Sequence, residues 1–293
     1  MTDILHRVIA DSGNVFGLAC DTTLLVNEAC RRHDTGPTAA AALGRALTGA
    51  VLLSALLKDG QSVQLKFEGC GPIKKIITEA GYDGWARGYV GNPQADVPLK
   101  NGMVNVAAAI GRAGFLTVTK DIGLKQKYQG TIQLYTGEIG EDIAYYLLES
   151  EQTPSIVALS VQLNKDGSVG AAGGYLVQAL PPVDETILTK LEARVQDIPS
   201  ISDHLHTGKG ASEMLATLFA DIPHHATGTT GLDYTCSCNR EKMEGAIISL
   251  GTESLRDLIA KEGGAEVQCE FCRDYYSFSK SELTTIINRL EKH

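Results

Sequence analysis

The 293-residue chain has no hydrophobic run long enough to span a bilayer: its longest apolar stretch, ALTGAVLLSALL from Ala46, has 12 residues where roughly 18 are needed. Its opening, MTDILHRVIA, lacks the charged-then-apolar pattern of a secretion signal. A cytoplasmic protein with no membrane partner is expected. Positive charge is also scarce, since 26 Lys and Arg stand against 35 Asp and Glu, leaving a net charge of −9. Phosphate backbones select concentrated Lys and Arg, so nucleic acid is not an expected partner. A Gly-rich phosphate loop, His-Glu-X-X-His and Gly-X-Ser-X-Gly are all missing, which removes the common nucleotide and hydrolase signatures. Internal repeats and low-complexity tracts are missing too.

Glycine, by contrast, is plentiful: 31 of 293 residues, against an average of about 7%. Alternating segments bounded by glycine recur in the first half and read as strands joined by tight turns. In SVQLKFE, Val63, Leu65 and Phe67 alternate with Gln64, Lys66 and Glu68, the period of a half-buried strand. Val157, Leu159, Val161 and Leu163 repeat the pattern, and NKDG at 164–167 supplies an Asp-Gly turn into SVGAAGGYLVQAL, a hairpin. The run from Thr38 to Leu57 is too long for a strand and rich in Ala and Leu, so it reads as a buried helix packed on the sheet.

At Pro181-Pro182 the pattern changes from strand to helix. Val183, Ile187, Leu191 and Val195 recur at every fourth residue, and Met214, Leu215, Leu218 and Phe219 form a second apolar stripe. Two such short amphipathic helices cannot bury their stripes against each other, so they must lie on something else. Further on, Met243, Ile247 and Leu250 line one helix, and Leu255, Leu258 and Ile259 another that ends at Gly263-Gly264. YYSF reads as a strand, and Ser279 with Glu282 as the capping box of a last helix whose Leu283, Ile286, Ile287 and Leu290 face inward. The fold class is α+β: a mixed α/β core over 1–180, a helical linker over 181–226 and a small C-terminal domain over 227–293. The core is expected to fold without the rest.

Seven cysteines are present, and four fall in two tight pairs, Cys236-X-Cys238 and Cys269-X-X-Cys272, with 30 residues between the pairs. In a reducing compartment such a cluster reads as metal or redox chemistry, not as a disulfide frame. A domain of this size rarely supplies more than about 3–5 kcal/mol from its core and usually needs a staple. Four thiolates offer the soft tetrahedral shell that Zn²⁺ favours, so one zinc per chain is expected on Cys236, Cys238, Cys269 and Cys272. The plain reading is a structural zinc. Alternatively, an oxidised thiol can condense with a neighbour to a disulfide, which weakens the metal site and makes it a switch.

The cysteine pattern, together with GPIKKIITEAGYDGWARGYVGNP at 71–93 and PVDETILTKLEARVQDIPSISDHL at 182–205, resembles the heat-shock 33 kDa family of redox-regulated holdase chaperones, essentially end to end. One departure is Lys74-Lys75, where family members often carry a glycine. The resemblance implies an ATP-independent chaperone, not an enzyme, that is inactive while reduced and zinc-bound. It implies redox-active disulfides pairing Cys236 with Cys238 and Cys269 with Cys272, zinc release, linker unfolding, and homodimers when oxidised. Its implied partners are unfolding client proteins and downstream foldase chaperones.

Two rivals from other classes are weaker. A thiol-disulfide oxidoreductase needs its Cys-X-X-Cys at a helix N-terminus, whereas AEV and RDYYSF flank this one as strands. A zinc-ribbon binding protein for nucleic acid wants basic residues, yet 227–293 holds eight bases and eleven acids. Cys20, Cys30 and Cys70 sit in apolar or Gly-rich contexts and are expected in the core. His204, His206, His224 and His225 are expected at the surface, because four cysteines already saturate a tetrahedral shell.

Overall fold

The structure is a computed structural model that describes residues 2–181, 185–198, 200–206 and 210–291. The chain folds as two compact units, residues 1–235 and 236–293. Helices and sheets are mixed in the manner the sequence implies, and Pro182 and Val183, at the expected change from sheet to helix, lie outside the described residues.

The larger unit opens with the hairpin of β1 (Ile4–Ala10) and β2 (Val15–Asp21), followed by α1 (Thr23–His33) and α2 (Pro37–Ser54). Next come β3 (Ser62–Gly69), β4 (Lys75–Gly81), β5 (Trp85–Val90), the short α3 (Val106–Ile110), β6 (Gly114–Asp121) and β7 (Tyr128–Gln133). Helix α4 (Ile139–Glu151) precedes the hairpin of β8 (Ser155–Leu163) and β9 (Val169–Ala179). Helices α5 (Glu185–Asp197), α6 (Ile201–His206) and α7 (Ala211–Leu218) then lead to β10 (His224–Gly231) and β11 (Asp233–Tyr234).

Two sheets result, ordered β10-β1-β2-β9-β8 and β11-β5-β4-β3-β6-β7. Helix α2 packs against strands of both, which explains its composition: a helix covered on every side needs apolar residues all round and small ones wherever a neighbour comes close. At Gly49 a Cβ would stand 2.5 Å from Ile143 Cδ1, so a larger residue there would have to push the end of that α4 side chain aside. Its one charged residue, Arg45, pairs with Glu138 at 2.8 Å.

The five-stranded sheet is apolar on both faces. Leu5, Leu18, Cys20, Ala172 and Leu176 point into the cluster around α2, whereas Val8, Ala10, Val15, Ala19, Tyr175 and Val177 point the other way. A strand buried on both sides reads as a continuous apolar run, and this is the character of GAAGGYLVQA in β9. The second face is covered by the linker helices: Leu191, Leu205, Met214, Leu215, Leu218 and Phe219 are buried in the same cluster. Phe219 lies over Gly17, where a Cβ would come within 2.6 Å of its ring. The amphipathic stripes of 187–219 have therefore found their support on this sheet. Fully burying a single side chain of this kind stabilises by about 1.5–3 kcal/mol.

The units divide between Thr235 and Cys236, nine residues beyond the linker boundary read from the sequence. Strand β10 accounts for the difference: HHATGTTG pairs along β1 from Ile4↔Gly231 to Ala10↔His224, and β11 continues as a parallel partner of β5. Most of its side chains are exposed, so its hold on the sheet is through backbone hydrogen bonds. At the same corner the buried Asp3 accepts the amides of Leu24 at 3.1 Å and Leu25 at 2.7 Å, capping α1, and its carbonyl accepts the Leu232 amide. Burial pushes its carboxyl up to about 6 despite those two amides, with Asp21 and Asp233 adding to the shift.

The smaller unit comprises α8 (Arg240–Ile248), α9 (Gly251–Glu262), the antiparallel ribbon of β12 (Gly264–Gln268) and β13 (Tyr275–Ser279), and α10 (Lys280–Leu290). Its buried cluster is Ile247, Leu255, Phe278, Leu283, Ile286 and Ile287. The capping box is formed, with the Ser279 amide donating to Glu282 Oε2 at 2.8 Å and the Glu282 amide to Ser279 Oγ at 3.4 Å. Leu250 departs from expectation and is 53% exposed. Helix α8 ends at Ile248 and the left-handed Gly251 (φ 80°) starts α9, so Leu250 belongs to the corner between them rather than to a buried face.

Candidate metal centre

The ribbon presents one half of the centre. Between β12 and β13 the chain reverses, with the Cys269 amide donating to Asp274 O and the Arg273 amide to Cys269 O, both at 2.9 Å, and Arg273 in the left-handed region at φ 64°. That reversal turns Cys269 and Cys272 toward one another and aims backbone amides at them: those of Phe271 and Cys272 at Cys269, and that of Asp274 at Cys272. The other half, Cys236-Ser237-Cys238, immediately precedes α8, whose cap Asn239 accepts the Lys242 amide at 2.9 Å. Lys242 Nζ donates to Ser237 O at 2.7 Å, and Arg240 donates to Ser277 O at 2.9 Å while lying over the Phe278 ring. These contacts fix the helix start against the ribbon.

The four sulfurs all lie within 4.8 Å of one another, and none of the seven cysteines is joined to another by a disulfide. Cys236 Sγ is 3.8 Å from Cys269 Sγ, and Cys238 Sγ is 3.2 Å from Cys272 Sγ. Four sulfurs placed about 2.3 Å from one tetrahedral ion stand about 3.8 Å apart, so a metal fits this cluster with small adjustments. The chemistry agrees. Burial raises the thiols of Cys269 and Cys272 above the ordinary range, so thiolates here require a cation among them. Tyr276 Oη stands 3.2 Å from Cys238 Sγ, and that contact pushes its phenol above the ordinary value.

The four cysteines singled out in the sequence are thus brought together, and among the described residues no other group of three or more His, Cys, Asp or Glu side chains is gathered closely enough to hold a metal. Cys20 is buried and Cys30 half-buried, but Cys70 is exposed, in the turn between β3 and β4 where flanking glycines leave its side chain outside the core. His206 and His225 are exposed and His224 is half-buried, whereas His204 is buried, because α6 lays it on the apolar outer face of the five-stranded sheet. The contribution of Tyr276 has no sequence signal, since a tyrosine in a strand reads as packing. Cys269 to Cys272 sits between two strands rather than at a helix start, which disfavours a thiol oxidoreductase. Among the described residues no helix is long and apolar enough to cross a membrane.

An α+β body joined to a small unit whose four clustered cysteines could hold a metal ion is the class of protein that the fold and site define. Residues 3–279 match the family model described as Hsp33 protein. The chain is 58% identical over 291 residues to the 33 kDa chaperonin of Desulfotalea psychrophila, covering 99% of each, and 49% identical to that of Geobacter sulfurreducens, covering 99% of this chain and 96% of the relative. It superimposes on the crystal structure of the 33 kDa chaperonin of Thermotoga maritima with a TM-score of 0.92 at 34% identity, covering 100% of this chain and 99% of the other. The chain belongs to the Hsp33 family of chaperones.

Proposed function

We propose that this protein is a redox-regulated, ATP-independent holdase of the cytoplasm, without enzymatic activity, that binds unfolding client proteins under oxidative stress. The observation that carries the reading is the cluster of four sulfurs, not joined by disulfides, in a unit with a small apolar core. In the reduced chain Cys236, Cys238, Cys269 and Cys272 hold one Zn²⁺ as thiolates, and the metal supplies folding free energy that this core lacks, about 10–16 kcal/mol for structural zinc in small domains.

Peroxide is the input. A thiolate attacks one peroxide oxygen, the O–O bond breaks and hydroxide leaves. A neighbouring thiol then displaces the sulfenic hydroxyl as water, so two sulfurs give up two electrons and gain an S–S bond. The proposed pairs are Cys236–Cys238 and Cys269–Cys272. With all four sulfurs mutually close, proximity alone leaves every pairing open, and family resemblance selects these two. A disulfide removes two ligands at once, and the remaining pair holds the metal weakly. The switch region from 227 onward then unfolds, the connector over 181–226 loosens, and the face bearing Val8, Val15, Tyr175 and Val177 opens to clients. Oxidised chains associate as homodimers, and reduction hands clients to foldase chaperones.

The test is light scattering from a thermally aggregating protein mixed with the reduced, zinc-loaded or the peroxide-treated chain. Suppression by the treated form alone is expected. Equal scattering with both forms rules out redox control.

A further inference from the structure

Cys238 is met by a side-chain hydroxyl: Tyr276 Oη lies 3.2 Å from its sulfur. The direction of that hydrogen bond follows from chemistry, since a metal-bound thiolate carries no proton and the phenol does, so Tyr276 donates. Its placement is rigid. Tyr276 is the β13 partner of Val267 across the ribbon, and its ring packs on the cluster that holds Phe278, two residues on and on the same face of the strand. The ring is held by the core and the hydroxyl reaches out to the half of the centre contributed 38 residues earlier.

We propose that the Tyr276 hydroxyl is the tuning group of this centre, holding the Cys238 thiolate on the metal and damping its reactivity toward electrophiles and oxidants. A thiolate reacts through its lone pairs, and a hydrogen bond to the sulfur withdraws electron density from them. The amides aimed at Cys269 and Cys272 act similarly, but they belong to the backbone and no side-chain change removes them. Tyr276 is different: deleting one oxygen leaves the ring and its packing in place. The inference rests on the metal-thiolate reading given above and adds to it a side chain that acts on one named ligand, Cys238.

The experiment uses the full, zinc-loaded chain and compares wild type with Tyr276→Phe. Zinc affinity is read by competition with a chromophoric chelator, and the alkylation rate of each cysteine by iodoacetamide with mass spectrometry, each event forming an S–C bond and expelling iodide. Tyr276→Phe is expected to weaken zinc binding 10–100-fold, the usual effect of losing a hydrogen bond to a ligand. It is also expected to accelerate alkylation of Cys238 several-fold over Cys269 and Cys272. Replacing Tyr276 by 3-fluorotyrosine, a stronger donor of almost the same shape, should slow Cys238 instead. Equal acceleration at all four cysteines means that only packing was lost and overturns the proposal, as does unchanged affinity with unchanged Cys238 reactivity. A wild-type chain that binds no zinc overturns the metal centre itself and this role with it.

Discussion

In the larger unit Tyr146, Phe67, Leu43, Leu47 and Leu116 are sealed in one cluster that runs from sheet to sheet through α2, and a second cluster lies on the far face of the five-stranded sheet. In the smaller unit the buried cluster is Ile247, Leu255, Phe278 and three side chains of α10. Both have regular helices and paired strands, so secondary structure does not separate them. What separates them, on the function proposed above, is the source of cohesion: removal of apolar surface from water in one, and ligation by four clustered thiols, two buried and two half-buried, in the other. Cohesion by burial is indifferent to oxidants, and cohesion by thiolates is not.

The sharpest way to break the comparison is to take the metal away. Cys269→Ser, or a strong chelator, should cost the smaller unit on the order of 10 kcal/mol, more than its core returns, so it unfolds. Hydrogen exchange should then show residues 236–291 losing protection while β3 to β9 keep theirs. Protection that survives across α9 and α10 would mean that the small core stands alone.

A second test asks how far burial alone carries the larger unit. A chain ending at Thr235 keeps α5 to α7 and β10, and is expected to unfold in one cooperative transition. A chain ending at Leu180 bares Val8, Val15, Tyr175 and Val177, each worth about 1.5–3 kcal/mol when covered. It should bind a hydrophobic dye strongly and unfold at several molar less urea or aggregate. Equal urea midpoints for the two fragments would show that the helical cover adds nothing.

A smaller difference concerns pH. The Asp3 carboxyl titrates near 6 in the folded chain and near 3.8 when unfolded. The folded chain therefore binds the proton first, and as pH falls from 7 to 4 this group adds stability, about 2–3 kcal/mol in all, which is lost again as pH rises through 6. The effect should appear in the urea midpoint of the 1–235 fragment. Asp3→Asn, which cannot titrate, should flatten the slope, and an unchanged slope would assign it to other groups.

The smallest effect lies in the β3–β4 turn, where Lys74 adopts φ 68°. A side chain in that region costs about 1 kcal/mol, which glycine avoids. Lys74→Gly should raise the melting temperature of the larger unit by a few degrees and leave zinc content untouched. A lower melting temperature would show that the extra freedom of glycine in the unfolded chain outweighs the strain.

Much of this contrast could be read in the residues. Alternation in SVQLKFE placed β3, the length and Ala content of 38–57 placed α2, and the spacing of Cys236, Cys238, Cys269 and Cys272 placed the centre. Strand β10 escaped because HHATGTTG has no apolar alternation: an edge strand that buries nothing carries no period, and its pairing with β1 is made by backbone atoms common to every sequence. For the same reason the unit boundary moved to Thr235. Nothing in the residues around Asp3 marks it, because its burial depends on α1 and Leu232 meeting it in space. Nor could Cys70 be distinguished from Cys20 by neighbours in sequence, since a turn and a strand interior can share the same small residues.

Gly17 offers a different kind of consequence. It leaves a one-carbon hole in the sheet into which the Phe219 ring settles, and a methyl group there would come within 2.6 Å of that ring. The position lies far along the chain from all four cysteines and takes no part in the chemistry of sulfur. A lineage adapting to a warmer or colder habitat could therefore adjust how firmly the helical cover is seated by changing residue 17 or the ring above it. Sensitivity to temperature and sensitivity to oxidant would then be inherited on separate dials, free to drift apart under selection.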